Sequence, residues 1–168
     1  MPAVDSALVR WNPFKTVEAR RLALLFGIVY FAQGMWSLPT QAMTIVFKES
    51  GLSAGEVADF RLLGTLPWLL KPAYGLLSDF VPLFGRRRKS YLLVTSALAA
   101  VAGFSVALMD EHSYWRLAIF FALMGLGLAF TDVLTDALMV ETGRPRGLTG
   151  AFQSVQWAAI YGAAMVVG

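Results

Sequence analysis

The chain has 168 residues, of which 57% are hydrophobic and only 15% charged, roughly ten points fewer charges than a soluble domain carries. A single soluble core of this size has no room for so much apolar surface, and the composition equally excludes disorder, collagen and coiled coil. A polytopic membrane protein remains; with no cysteine and one histidine, His112, disulfides, thiol catalysis and His-pair metal sites are out of reach, and a net charge of +3 does not point to nucleic acid.

Five apolar stretches follow one another. Residues 1–21 read as a polar N-terminal segment and 22–168 as a helical membrane bundle. The first span, Leu22 to Phe47, has 26 residues without a charge, about 39 Å of helix against roughly 30 Å of hydrocarbon, and Pro39 is the expected kink. It is too long for a signal-peptide core. The second, Phe60 to Phe80, carries Lys71 and two prolines, Pro67 and Pro72. The third is Tyr91 to Met109. The fourth, Tyr114 to Val140, holds Asp132 and Asp136, and its Gly125 and Gly127 read as close helix contacts rather than a nucleotide loop. The fifth runs from Leu148 to Gly168, just enough to cross, and stops without a polar flank, as a fragment of something larger would.

Ten basic residues fall on one side: Arg10, Lys15, Arg20, Arg21, Arg86, Arg87, Arg88, Lys89, Arg144 and Arg146. Three, Lys48, Arg61 and Arg116, fall on the other. The positive-inside rule therefore puts the N-terminus and the Arg86–Lys89 loop in the cytoplasm, with Asp110, Glu111 and His112 in a short outer loop. A plasma or inner membrane is the expected location.

Ionisable residues inside a membrane are costly and point to function. Lys71 lies about 16 Å into its span, on a face shared with Trp68, Tyr74, Gly75 and Ser78. It reads either as a cation for an anionic substrate group or as the partner of an aspartate. Counted from the outer end, Asp132 lies about 27 Å deep, nearer Asp79 than Lys71, which disfavours the pair. Gln33 lies at Lys71's depth on the stripe Tyr30, Gln33, Ser37, Gln41, Thr44; it reads as an amide reader of a heteroaromatic ring or as an inter-helix hydrogen bond. Asp132 and Asp136, four apart on one face, read as a proton relay or as ion-pair partners of nearby arginines. Gln153 and Trp157 offer a wall for a flat ring, or ordinary helix packing.

Two longer strings carry a resemblance. Lys71-Pro72, Tyr74-Gly75, Ser78-Asp79, Pro82-Leu83-Phe84-Gly85, Arg87-Arg88 and Tyr91 form one; Asp132-Val-Leu-Thr-Asp136-Ala-Leu-Met-Val-Glu141 forms the other. Together they resemble the folate–biopterin transporter family of the major facilitator superfamily, although five residues separate Asp79 from Gly85 where the superfamily pattern has two. The resemblance covers about Leu22 to Gly168.

It implies an all-α membrane fold in which this chain supplies about five helices of the N-terminal half of a twelve-helix transporter. A folate- or pterin-like organic anion is the implied substrate, with proton coupling open. By matching position, Gly75, Asp79, Gly85, Arg86, Arg87, Arg88 and Glu141, with Asp136, resemble the superfamily's cytoplasmic latch. The substrate side falls to Lys71, Gln33, Trp68, Tyr74, Gln153 and Trp157. Membrane lipid and a small-molecule substrate are the expected partners, no nucleic acid and no cofactor are expected, and a missing C-terminal half is required for a two-half rocker. The alternatives are a major-facilitator transporter of another small molecule, or a non-transporting remnant. An enzyme is disfavoured, because no nucleophile–histidine pair or metal set is present.

Overall fold

The computed structural model describes residues 12–109 and 113–167. Arg10, the outer-loop residues Asp110, Glu111 and His112, and the terminal Gly168 lie outside the described residues. The elements are helices α1 (Val17–Gly34), α2 (Ser37–Glu49), α3 (Ala54–Leu69), α4 (Lys71–Phe80), α5 (Arg88–Ala107), α6 (Tyr114–Gly143) and α7 (Thr149–Val167), with one 3-10 turn, Arg144–Arg146, between the last two. The described residues contain no strand, only the isolated bridge Leu83–Arg86. Three helical stretches are long and apolar enough to cross a membrane: Val17–Glu49, Arg88–Ala107 and Tyr114–Arg146.

Two stretches depart from the sequence expectation. The first bends at Met35–Trp36 rather than at Pro39. Pro39 is the third residue of α2, in a first turn whose N–H groups have no intrahelical acceptor, so its missing donor costs little. The second begins at Ala54, six residues before Phe60, and is broken at Leu70 into α3 and α4. Pro67 and Pro72 flank the break, each removing one ladder donor. The chain turns there on Leu70 N–H to Pro67 O and Ala73 N–H to Leu70 O. The early start comes from a capping box. Ser53 Oγ accepts from Glu56 N–H, and the Glu56 carboxylate accepts from Ser53 N–H. The Ser53 backbone N–H, helped by the Ser53 hydroxyl, holds the Glu56 carboxyl below the usual carboxylate range.

The chain forms two compact units. In the first, residues 12–37 with 138–167, α1 packs along α7. Phe26, Tyr30, Met139 and Phe152 form its core. Phe152 meets Phe26 edge-on at 5.0 Å and stacks on Phe14 at 5.6 Å. A Cβ on Gly34 would come within 2.7 Å of Ala163 and 2.9 Å of the Ile160 carbonyl, so small residues set the spacing of these two helices. The Arg146 guanidinium ties the turn to the start of α1 through Glu18 at 2.7 Å.

In the second unit, residues 38–137, α6 is the central element, with α3 on one face and α5 on another. Gly125 lies against the Gly64 carbonyl, where a Cβ would sit 2.6 Å away, and Gly127 lies against Thr95 O and Ala99 N, at 2.6 and 2.8 Å. Both glycines are the close contacts expected from the sequence. Phe47, Phe60 and Phe121 pack at one end, with centroids 4.6 and 4.9 Å apart. There the Tyr114 hydroxyl donates to the Glu56 carbonyl at 3.1 Å, joining the starts of α3 and α6.

Gly127→Ala forces a methyl into the α5 backbone. It should destabilise the protein by about 1–3 kcal/mol, as overpacking does, read as a lower melting temperature in detergent. Gly150→Ala, which meets nothing within 4 Å, should leave the melting temperature unchanged.

Candidate intramembrane polar site

Lys71 is the first residue of α4, just past the break, and Asp132 lies on α6. Lys71 Nζ and Asp132 Oδ2 are 2.6 Å apart, with the lysine side chain 36% exposed and the aspartate 6%. This corrects the depth expected for Lys71, counted from Phe60. Because α3 starts at Ala54, Lys71 is 17 residues past the start of its stretch, and Asp132 is 18 residues past Tyr114. At about 1.5 Å per residue both are roughly 26 Å deep, and the Tyr114–Glu56 hydrogen bond aligns the two starts.

The pair sits in a defined frame. The Lys71 ammonium lies 4.5 Å from the Trp68 ring centroid, within reach of a cation–π contact. One turn on, Tyr74 stacks on Phe130 at 4.7 Å, and Phe130 on Tyr91 at 5.5 Å, all nearly parallel. Tyr74 is buried in this stack, so its ring face is a wall holding α4, α5 and α6 together. Its hydroxyl is buried and makes no hydrogen bond among the described residues. Beside Asp132, the hydroxyls of Thr131 and Thr95 share a hydrogen bond at 2.9 Å, and Thr135 donates to the Thr131 carbonyl at 2.7 Å. Sequence reasoning missed the triple stack and the threonine pair. They join different helices, and helical spacing reports only which residues share one face.

Lysine has three N–H donors and Asp132 engages one direction only. About a third of the Lys71 side chain is exposed. Among the described residues, no group of three or more His, Asp or Glu is placed to hold a metal.

The other expected site residues fall elsewhere. Gln33 is half-buried on α1, while Gln153 and Trp157 are exposed on α7. Trp157, 54% exposed, stacks on Tyr161 at 5.7 Å. These three belong to the first unit; Lys71, Trp68 and Tyr74 belong to the second. Of the latch residues, Asp79 Oδ1 accepts from an Arg88 guanidinium nitrogen at 2.8 Å, linking the end of α4 to the start of α5. Gly75 packs against Val133. Gly85 has φ +72 in the turn between α4 and α5, and Arg86 and Arg87 are exposed. Asp136 is half-buried on α6, and Glu141 is exposed near its end.

The BT1 family model matches residues 31–167. The chain is 38% identical over 134 residues to a folate-biopterin transporter of Synechocystis sp., covering 78% of this chain and 27% of that protein. It is 31% identical over 141 residues to probable folate-biopterin transporter 4 of Arabidopsis thaliana, covering 81% and 29%. Putative folate transporter 2 of Plasmodium berghei is 29% identical over 116 residues, covering 68% and 25%. The chain thus spans little more than a quarter of these relatives' length. No solved structure matches it.

Removing one partner of the ion pair leaves the other charge uncompensated. Lys71→Ala and Asp132→Ala should each cost about 1–3 kcal/mol, less than the roughly 3–5 of a fully buried pair because Lys71 is partly exposed. The double variant should cost less than the sum of the two. A thermal-unfolding double-mutant cycle measures this, and strict additivity would show that the two charges do not interact.

Proposed function

The chain belongs to the BT1 family and is an integral membrane protein, and from that premise we propose that its full-length protein is a secondary transporter of folate- or pteridine-like organic anions. The observation that carries this reading is a partly exposed ammonium paired with a buried carboxylate, at matching depth on two helices and covered by an indole ring.

In this reading Lys71 is the cation that meets a substrate carboxylate, while Asp132 holds the ammonium in place when substrate is absent. Trp68 lies along the lysine and offers an apolar face to a flat ring. In the first unit, taken by itself, Gln33 and Gln153 offer amide donors and acceptors suited to a pteridine edge, and Trp157 an exposed ring suited to stacking. Tyr74 acts from behind, by fixing α4 against α6. Proton coupling runs through Asp132: a proton on this carboxylate releases Lys71 to the substrate, and loss of the proton returns Lys71 to the pair. Asp136 stands one turn further along the same helix face. Asp79 and Arg88 are the latch pair within the second unit. The N-terminus and the Arg86–Lys89 loop face the cytoplasm.

Uptake by the full-length protein tests the substrate reading. Lys71→Ala should reduce folate uptake at least about tenfold, the loss of one charge-assisted contact, with membrane insertion retained. A pteridine without carboxylates should lose far less. If Lys71→Ala with Asp132→Ala restores folate uptake, the lysine is only an ion-pair partner and the substrate contact is wrong. Failure of every folate and pterin to be carried, with Lys71 still essential for another solute, would move the substrate class.

Orientation has its own test. The chain has no cysteine, and Lys89 and Ser113 are both exposed. Lys89→Cys should label only from the cytoplasmic face and Ser113→Cys only from the opposite one.

A further inference from the structure

The turn between α4 and α5 combines strain with exposure. Phe84 is the one non-glycine residue with positive φ among the described residues, at +52, and Gly85 follows at +72. Arg86 N–H donates to Leu83 O at 3.1 Å, so left-handed backbone occupies both central positions, the pattern of a type I′ turn. Glycine and asparagine suit that first position, and a bulky aromatic there is an outlier. The side chain gains no compensating burial, since Phe84 is 81% exposed. Phe80 at 78% and Val81 at 49% are exposed beside it. Next in sequence come Arg86, Arg87 and Lys89, all exposed and none with an ion-pair partner among the described residues. Arg88, between them, is held by Asp79.

We propose that this turn is a lipid-binding element, in which Phe84, Phe80 and Val81 enter the acyl boundary of the bilayer while Arg86, Arg87 and Lys89 hold the headgroup phosphates of anionic phospholipids. The placement follows from the chain. The turn joins the end of a stretch that reads as a span to the start of α5, a membrane-length helix, so it lies at headgroup depth. Apolar rings beside guanidinium and ammonium groups match an anionic interface, with rings in the acyl edge and cations at the phosphates. The Phe84 ring is exposed rather than packed on the described residues, and the bilayer supplies the apolar surroundings that they do not. The Asp79–Arg88 pair anchors the base of the turn and leaves its three neighbours for lipid. This inference rests on the chain being integral to a membrane and is independent of what is transported.

The test uses the full-length protein in nanodiscs, with an environment-sensitive fluorophore on Phe84→Cys in a cysteine-free background. In phosphatidylcholine containing phosphatidylglycerol the emission should shift to the blue relative to phosphatidylcholine alone, and rising salt should reverse the shift, because the attraction is screened. Each cation near an anionic surface contributes roughly fivefold in affinity. Changing Arg86, Arg87 and Lys89 together to Gln should therefore weaken phosphatidylglycerol retention, counted by native mass spectrometry, at least about tenfold. Substrate uptake is not the readout, so a wrong substrate class leaves this test intact. The lipid comparison on the labelled protein stands even if the triple variant fails to fold.

Emission from position 84 that reports water in both lipids overturns the proposal. So does emission that is equally blue in neutral detergent and in both nanodiscs, which would mean that another part of the protein covers the ring. Displacement of phosphatidylglycerol by inorganic phosphate at the same three side chains would make the ligand a free anion and overturn the lipid assignment.

Discussion

A charge placed deep in an apolar helical bundle requires a counter-charge within bonding distance, and much of the second unit is arranged to supply one. Lys71 has the further disadvantage of its position. It opens α4, where the partial positive charge of the helix N-terminus already stands, and no side chain caps that end. Asp132 offsets both charges at 2.6 Å, and Trp68 covers the ammonium from the α3 side. The break at Leu70 that brings about this placement comes from two prolines five residues apart.

The counter-charge is held in place by packing on either side of it. Gly125 and Gly127 let the α3 and α5 backbones approach α6 to near contact, which a side chain at either position would prevent. A turn further on, the Tyr74–Phe130–Tyr91 stack locks α4 and α5 onto the same helix. Thr95 and Thr131 satisfy each other across the α5–α6 interface next to Asp132. The carboxylate therefore sits on a rigid element, and the ammonium at a break. Of the two partners, the lysine is the more exposed, at 36% against 6% for the aspartate.

The first unit shows a different balance. Its core is aromatic and aliphatic, built on Phe26, Tyr30 and Phe152, while Gln153, Trp157 and Tyr161 stand outward on α7. In the second unit Asp132, Thr95 and Thr131 are buried and paired, whereas the polar and aromatic groups of α7 are presented.

Composition, periodicity and the two long motifs were enough to read a helical membrane protein of the folate–biopterin type, with Lys71 and Asp132 as its costly charges. These features are local: apolar length, helical spacing and residue strings all lie along the chain. Asp79 and the run Arg86–Arg88 were legible as one charged cluster around a short turn, and the structure selects Arg88 as the partner. What the tertiary structure decided is everything that depends on where two helices start relative to each other. A capping box at Ser53–Glu56 lengthened α3 by more than a turn, and that shift brought Lys71 to the depth of Asp132 when counting from the apolar edge placed them apart. The bend at Met35–Trp36, the aromatic stack and the threonine pair were hidden for the same reason. Spacing along one helix assigns a residue to a face, but only the packed structure determines which residue of another helix it meets.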